Sequence, residues 1–432
     1  MALALFKVRP APYIGLQSVT PTPHKMQVCV LGAGIVGLAT AYELQQRGLQ
    51  VTIIDQAQPG TGASGGNGAQ LSYSYVQPLA DASIWRQLPR LLLSPSSPLK
   101  LRPQWDMHQW HWGLAFLRAC NRHTSERSTE RLLALAALSR HRLEAMLQSE
   151  SIDCDFSRTG KLVLYDTPKG LAAAQRQMEL QRAWGSQQQA VSAARCAEIE
   201  PALQHYQQHI AGAIYTPSEC AADCLKVCQG LQAVLAARGV RFLLGTQVQG
   251  FVRQGQRIAA VQTNAGTIDA EQFVLALGSH SHLVARTLGL RLPVYPLKGY
   301  SITLDTAEAS SAHGAVPRVN VTDAARKVVF ARIGQRLRVA GMAELVGHDA
   351  RIPPARIESL CHATRTLFPG CCQFEELRPW TGMRPATPTG LPMVGTHASG
   401  PDNLLLNTGH GSLGFTLAFG TAAQVAELLA PA

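Results

Sequence analysis

The hydrophobic pattern changes period several times along this chain, and the changes mark its elements. Gln27-Val28-Cys29-Val30-Leu31 is a short run that is apolar on both faces, as in a strand buried inside a parallel sheet. Gly32-Ala33-Gly34-Ile35-Val36-Gly37 follows at once, and a helix is predicted over Leu38–Arg47, stopped by Gly48. Val51-Thr52-Ile53-Ile54 predicts a second strand, ending in Asp55. Residues 81–204 read as mixed and mainly helical. Residues 211–245 predict a strand, then a helix within SECAADCLKVCQGLQAVLAARG, then a strand at Val240-Arg241-Phe242-Leu243. Strands pair through Val248–Val252 and Ile258–Thr263, with a turn at Asn264-Ala265-Gly266, and Phe273–Leu277 leads to Gly278-Ser279. VYPLKGYSITL, KVVFARIG and LRVAGMAELVG alternate as strands do, and the tail returns to LLLN, a glycine turn and a helix.

Strand, glycine turn, helix, strand and acid over about thirty residues form the βαβ unit of a dinucleotide fold. Gly32 permits the tight turn, Gly34 lets a pyrophosphate approach the backbone, and Gly37 lets helix pack on strand. Ile35 and Val36 of that turn are expected to touch the cofactor, and the helix N-terminus stabilises phosphate charge. Asp55 is expected to accept hydrogen bonds from ribose hydroxyls. The spacing G-x-G-x-x-G recurs twice. Gly60–Gly65, in QPGTGASGGNGAQLS, has no strand feeding it and no helix leaving it. It reads either as a flexible loop or as a loop whose amides, with Ser64 and Asn67, wrap a cofactor held at Gly32–Gly37. Gly409–Gly414, in NTGHGSLGFTLAFG, comes too near the end of the chain for a second βαβ unit.

Composition narrows the class. With 46% hydrophobic and 16% charged residues among 432, the chain is of globular type and large enough for two domains. No uninterrupted apolar run reaches the roughly 18 residues of a membrane-spanning helix. The net charge of +11 suits an anionic partner without specifying one, and no Lys/Arg-rich block points to nucleic acid. Ten scattered cysteines suggest free thiols in a reducing compartment. Cys220, Cys224 and Cys228 read as small residues on one buried helix face rather than as a metal site, and no metal is expected. Residues 1–25, proline-rich and without acids, read as a disordered leader or as lying upstream of a start at Met26, with a transit peptide as the alternative.

The order of these features resembles FAD-dependent amine oxidoreductases of the D-amino-acid oxidase/glycine oxidase superfamily. Within it the chain looks most like the bacterial D-amino-acid dehydrogenase small subunits. The likeness runs from about Gln27 to the C-terminus and rests on VLGAGIVGLATAYELQQRG, NGAQLS, TGKLVLYDT, EIEPAL and VYPLKGYSITL. It is most specific in RVAGMAELVG, RPWTGMRPATPTGLPMVG and NTGHGSLGFTLAFG. It implies an α/β fold: a Rossmann-like FAD-binding domain over 26–80, 205–290 and 381–432, interrupted by an α+β substrate domain with a mixed or antiparallel sheet over 81–204 and 291–380. Two departures stand out. Asn67-Gly68-Ala69-Gln70 replaces the family's Asn-Ala-Gly-Gln, and Ser218–Asp223 lacks the usual acidic, glycine-containing turn. No cysteine sits as in covalent-flavin relatives, so non-covalent FAD is expected, touched also by Gly68, Gln70, Val248 and Gly278.

Oxidising an α-amino acid requires that its carboxylate be held and its Cα–H aimed. Arg384, in Met383-Arg384-Pro385, is the candidate for the carboxylate, through a two-pronged match; the family's R-P arginine has that role. The alternative is a structural ion pair. Tyr300 is read as a hydrogen-bond donor to substrate or a cover over the flavin, or else as an inward aromatic. Lys298 is a weaker candidate for flavin or carboxylate. His410 is read as a general base or, preferably, as a positioned turn residue. A helix starting near Ser412 would aim its positive end at the flavin edge where reduction places negative charge, with Gly409, Gly411, Leu413 and Gly414 allowing close approach.

Residues 83–122 hold Trp85, Trp105, Trp110 and Trp112, interleaved with Arg86, Arg90, Lys100, Arg102, Arg118 and Arg122 against one acid, Asp106. This reads either as an interfacial membrane element or as a hydrophobic cover over the substrate site. The expected activity is oxidative deamination of D-amino acids to 2-oxo acids and ammonia, with electrons passed to a quinone or another carrier. Location would be cytoplasmic, with peripheral contact at the inner face of the membrane as one option. The alternatives are an O₂-using oxidase of glycine, D-amino acids or N-methyl amines, and a non-catalytic flavin-holding subunit.

Overall fold

The computed structural model describes residues 25–82, 84–85, 99–306 and 316–430. The predicted leader therefore lies outside the described residues up to position 24, as do Arg86 and Arg90.

Six strands build a mostly parallel sheet: β1 (Gln27–Leu31), β2 (Gln50–Asp55), β9 (Arg241–Leu244), β13 (Gln272–Leu275), β19 (Met393–Thr396) and β20 (Leu404–Thr408). Their order is β19-β20-β13-β1-β2-β9, with β1 central and parallel to both neighbours. The two-sided apolar run of β1 has a direct cause. Val28 and Val30 enter a core with the helices α1 (Ile35–Gln46), α6 (Cys224–Ala237) and α9 (Gly414–Leu429). Cys29 and Leu31 enter another, with the antiparallel sheet β10 (Val248–Gln254), β11 (Arg257–Thr263) and β12 (Gly266–Asp269).

The second sheet has nine strands. Its path is β18 (Arg378–Ala386), β14 (Tyr295–Asp305), β17 (Arg336–Leu345), β16 (Val328–Ile333), β15 (Asn320–Asp323), β5 (Lys161–Tyr165), β7 (Gly212–Thr216) and β6 (Gln189–Val191). A ninth strand, β4 (Leu99–Leu101), pairs with the end of β17. A two-stranded pair, β3 (Gln70–Leu71) with β8 (Cys220–Ala221), joins the halves. The remaining helices are α2 (Met107–Ala119), α3 (Arg122–Glu150), α4 (Pro168–Arg182), α5 (Ala193–Ile199), α7 (Ser281–Arg286) and α8 (Pro354–Leu367). The fold is α/β with a Rossmann-like half and a large mixed sheet.

Three sequence expectations need adjustment. Helix α1 begins at Ile35, not Leu38, because Gly34 is already the extended N-cap residue. The predicted cysteine helix begins only at Cys224: Asp223 caps it by accepting from the N–H groups of Leu225 and Lys226, and Cys220 belongs to β8. Cys220, Cys224 and Cys228 are nonetheless all buried. The expected domain edges also meet a different pairing, since β7 and β18 lie in the large sheet beside β5 and β14. Helix α9 with its preceding turn, Gly411–Leu429, is long and apolar enough to cross a membrane by length and composition. Here it is a core helix packed against α1 and α3.

Candidate functional site

A cleft of about 1290 Å³ opens between the two sheets, and all three G-x-G-x-x-G segments contribute to its wall. At the first, Gly32 has φ +112°, and a Cβ there would lie 2.5 Å from the Ala276 carbonyl oxygen. Gly37 does not line the cleft. A Cβ on it would sit 1.8 Å from the Gly32 carbonyl oxygen, so its absence sets the contact of helix with turn. Gly34, Ile35 and Val36 face the cleft, and the first turn of α1 carries no acid. Above Gly34 the space is open, the Ser64 hydroxyl at 3.5 Å being the near neighbour of an added Cβ. A helix start with no acid in its first turn and only the Ser64 hydroxyl on its Ile35 N–H fits a pyrophosphate. Asp55 lines the same wall, each carboxylate oxygen accepting one backbone N–H, from Ala33 (2.7 Å) and Ala57 (2.9 Å). Lone pairs remain on both oxygens for ribose hydroxyls. Val248 and Gly278 complete this end.

The second glycine segment folds back onto the first. Gly60 N–H donates to the Ala33 carbonyl (2.9 Å), and Ser64 Oγ accepts from Ile35 N–H (3.1 Å). The large sheet grips the loop that follows. Ser301 Oγ donates to the Gly66 carbonyl (2.7 Å), Arg338 to the Asn67 carbonyl (2.9 Å), and the Trp380 ring occupies the space a Gly66 side chain would need. Asn67, Gly68 and Gln70 line the cleft. The Asn67 side chain turns the loop by accepting from Ala69 N–H (2.9 Å). Gln70 spends its amide N–H₂ on the carbonyls of Val321 and Phe330.

The third segment enters α9 through a tight helical turn over Gly411–Leu413, with no side-chain cap and no acid in the first turn. Gly411, Ser412, Leu413 and Gly414 line the cleft, so this helix start also faces it. Gly409 does not; with φ +83° it packs against Thr387. His410 is buried, with Nε2 3.0 Å from the Thr421 hydroxyl, which itself donates to the Ala418 carbonyl. Burial pushes its pKa down to about 3. An imidazole that weak suits a positioned turn residue better than a general base, whose pKa should lie near the working pH.

On the large sheet, the Arg384 guanidinium lies across Gly299, where a Cβ would fall 2.3 Å from Nη2. It donates to the Met342 carbonyl (2.7 Å). That carbonyl is available because β17 bulges: Lys298 pairs with Glu344 but Tyr300 pairs with Gly341, leaving an extra residue on β17. No carboxylate pairs with Arg384 among the described residues, and burial alone pulls its pKa down, to about 10. Tyr300 also reaches the cleft wall, but its hydroxyl donates to Glu344 (2.7 Å), itself held by Arg356 (2.5 Å). The ring, not the hydroxyl, is what Tyr300 offers the cleft. Lys298 points away from it, donating to the Arg351 carbonyl (2.5 Å).

Sequence reasoning passed over Met342, Lys161 and Lys327, all on the cleft wall. Lys161 is fully buried, donates to Ser72 Oγ (2.8 Å) and lies over the Tyr75 ring. Burial lowers its pKa to about 8, and the nearby carboxylate of Glu219 opposes that shift. Nothing in TGKLVLYDT marks that lysine as buried; its strand pairing does.

The tryptophan-rich segment has a buried side and an exposed side. Trp112 is buried on the cleft wall, donates to the Ala386 carbonyl (2.8 Å) and stacks on Phe116. Met107, Trp110 and Leu114 form an exposed stripe on the other side of α2, beside exposed Leu101, Trp105, Lys100 and Arg102.

Comparison with known proteins places the chain among flavoenzymes. A family model described as DAO, FAD dependent oxidoreductase, matches residues 27–428. A Ralstonia nicotianae protein named D-amino acid dehydrogenase 2 is 45% identical over 412 residues, covering 94% of this chain and 96% of that protein. A Pseudomonas aeruginosa protein of the same name is 43% identical over 404 residues, with 93% and 94% covered. Among solved structures, glycine oxidase from Geobacillus kaustophilus superposes with a TM-score of 0.74 at 23% identity, over 94% of this chain and 95% of that one.

Proposed function

The chain belongs to the DAO family of FAD-dependent oxidoreductases, and from that premise we propose that it oxidises D-amino acids at Cα, yielding an imino acid that hydrolyses to a 2-oxo acid and ammonia. The observation that carries this reading is the Arg384 guanidinium, half-buried on the cleft wall with no carboxylate paired to it among the described residues. Bound FAD supplies the acceptor for the two electrons and the α-hydrogen. The protein's part is positional. Gly34–Val36 and Asp55 would hold the nucleotide portion, and the start of α9 would offer positive backbone dipole to the negative charge of a reduced flavin. Arg384 fixes the carboxylate through two parallel hydrogen bonds, which orients Cα. His410, held neutral by burial, takes no part in the proton balance: the substrate ammonium loses its proton to solvent, the α-hydrogen leaves as hydride, and the iminium that results is hydrolysed.

The D-configuration comes from the names of the relatives, and so does the reading that electrons pass to a carrier rather than to O₂. The exposed stripe on α2, flanked by Lys100 and Arg102, supports peripheral contact with an anionic lipid surface, where a quinone would be at hand. Purified holoenzyme mixed anaerobically with D- and L-amino acids, glycine and sarcosine tests the substrate. Bleaching of the flavin by D-amino acids but not their L-forms is expected; bleaching by glycine or sarcosine alone would overturn the reading. Reoxidation by a quinone analogue faster than by O₂, and co-sedimentation with anionic vesicles, test the acceptor and the surface.

A further inference from the structure

The cleft wall carries a second cation that the proposed reaction leaves unused. Lys327 closes the turn between β15 and β16, with φ +57°. Left-handed turn positions of this kind ordinarily fall to glycine or asparagine. The acid of the same turn, Asp323, is taken by Arg326 (2.6 Å) and by the N–H groups of Ala325 and Arg326. Asp323 lies near enough to favour the Lys327 charge, but among the described residues no ion pair or hydrogen bond engages its ammonium.

Its place relative to Arg384 follows from strand order. Arg384 reaches over Gly299 to the Met342 carbonyl on one side of β17. On the other side of β17, Val328 pairs with Gly341, which sets Lys327 beside Met342. Neighbouring strands lie about 4.8 Å apart, so the two cations flank one strand on a common wall. Lys327 and Val329 line the cleft while Val328 between them is buried under the sheet, so the lysine is on the cleft face. Met342, with φ +63°, is also left-handed, and such backbone gathers where a site is held in a set shape. Lys161, the other lysine on the wall, is engaged by the Ser72 hydroxyl and the Tyr75 ring, with Glu219 nearby.

We propose that Lys327 binds a second carboxylate on the substrate, so that the preferred substrates are acidic D-amino acids whose side chain ends in a carboxylate. This rests on the D-amino-acid reading above: Arg384 takes the α-carboxylate and Lys327 the distal one.

The test compares anaerobic flavin reduction of the holoenzyme by D-glutamate and D-aspartate with that by D-glutamine, D-asparagine and D-alanine. The amides match the acids in shape and differ in charge. The expected result is at least a tenfold preference for one acid over its amide, the scale of one charge-assisted hydrogen bond. Lys327→Asn, which tolerates the left-handed backbone, should bring that ratio close to one, and Lys327→Arg should restore it. An acid-to-amide ratio near one in the unmodified protein, or one that survives Lys327→Asn, overturns the inference and leaves the D-amino-acid reading standing. If no D-amino acid, D-alanine included, bleaches the flavin, both fall. The comparison in the unmodified protein needs no variant to fold.

Discussion

Arg384 shows how much a single residue gains from its surroundings. The sequence offers an arginine before a proline. The structure adds the bare backbone of Gly299 beneath it and the bulged Met342 carbonyl that holds it. Losing it should remove two charge-assisted hydrogen bonds, each about 1.5–3 kcal/mol. Arg384→Ala is therefore expected to lower kcat/KM for the best D-amino acid by roughly a hundredfold or more. Arg384→Lys should recover only part, since an ammonium lacks the fork. Flavin content should stay unchanged in both variants; equal kcat/KM in Arg384→Ala would count against the carboxylate role. Ala69 makes a related point about legibility. The displaced glycine of Asn67-Gly68-Ala69-Gln70 is visible in the sequence, but its consequence is conformational. Ala69 occupies the left-handed region, φ +58°, a conformation glycine adopts without strain. That strain costs about 1–2 kcal/mol. It is roughly offset by the buried methyl, about 0.8 kcal/mol, and by the smaller backbone entropy alanine loses, about 0.5–1 kcal/mol. The loop therefore tolerates the exchange.

At the scale of elements, the helix starts of α1 and α9 both face the cleft, and both are legible because their glycine turns are local in sequence. What was not legible depends on pairing between distant segments. Cys220 looked helical until β8 paired with β3. Lys161 and Lys327 gained meaning only when β5, β15 and β16 aligned beside β17. Local turns follow from local residues, whereas a sheet's order does not. The β1–α1 turn also supplies a stringent test. Since a Cβ on Gly37 would lie 1.8 Å from the Gly32 carbonyl oxygen, backbone against which nothing flexible can yield, Gly37→Ala must push α1 off β1. The expected cost is about 3 kcal/mol or more. Because the same shift opens the phosphate cradle, the purified protein should be largely colourless, with a lowered urea midpoint. A yellow Gly37→Ala protein of normal stability would contradict the proposed packing.

For the whole molecule, the halves meet through a group of imidazoles that no sequence motif announced. His108 on α2 stacks on His282 of α7 at 4.5 Å, and His280 lies 4.7 Å from His348, beyond the end of β17. The four come from three segments far apart in the chain, around His108, His280–His282 and His348, which is why composition alone could not assemble them. Burial pushes His282 and His348 down to about 4, and it lowers His280 as well. The charges facing them are mixed: Arg286 and the neighbouring rings depress His282, while Asp106 partly supports His348 and Asp55 supports His280. His410, at about 3, adds to the set. The sign follows from proton counting. An unfolded histidine, with pKa near 6.5, binds more protons than these folded ones between about pH 6.5 and 4. Stability therefore falls as pH drops through that window, and this contribution is fully present only above it. For His282 alone, which is nearly inaccessible, the loss by pH 5 is about 2 kcal/mol. Urea midpoints measured from pH 7.5 to 5 should decline steadily, before most carboxylates titrate. His282→Asn should flatten the slope while lowering the midpoint at pH 7.5, because it also loses the stack on His108. A midpoint that stays level down to pH 5 would show that the imidazoles titrate alike in the folded and unfolded chain, and that α2 is not held by their neutral form.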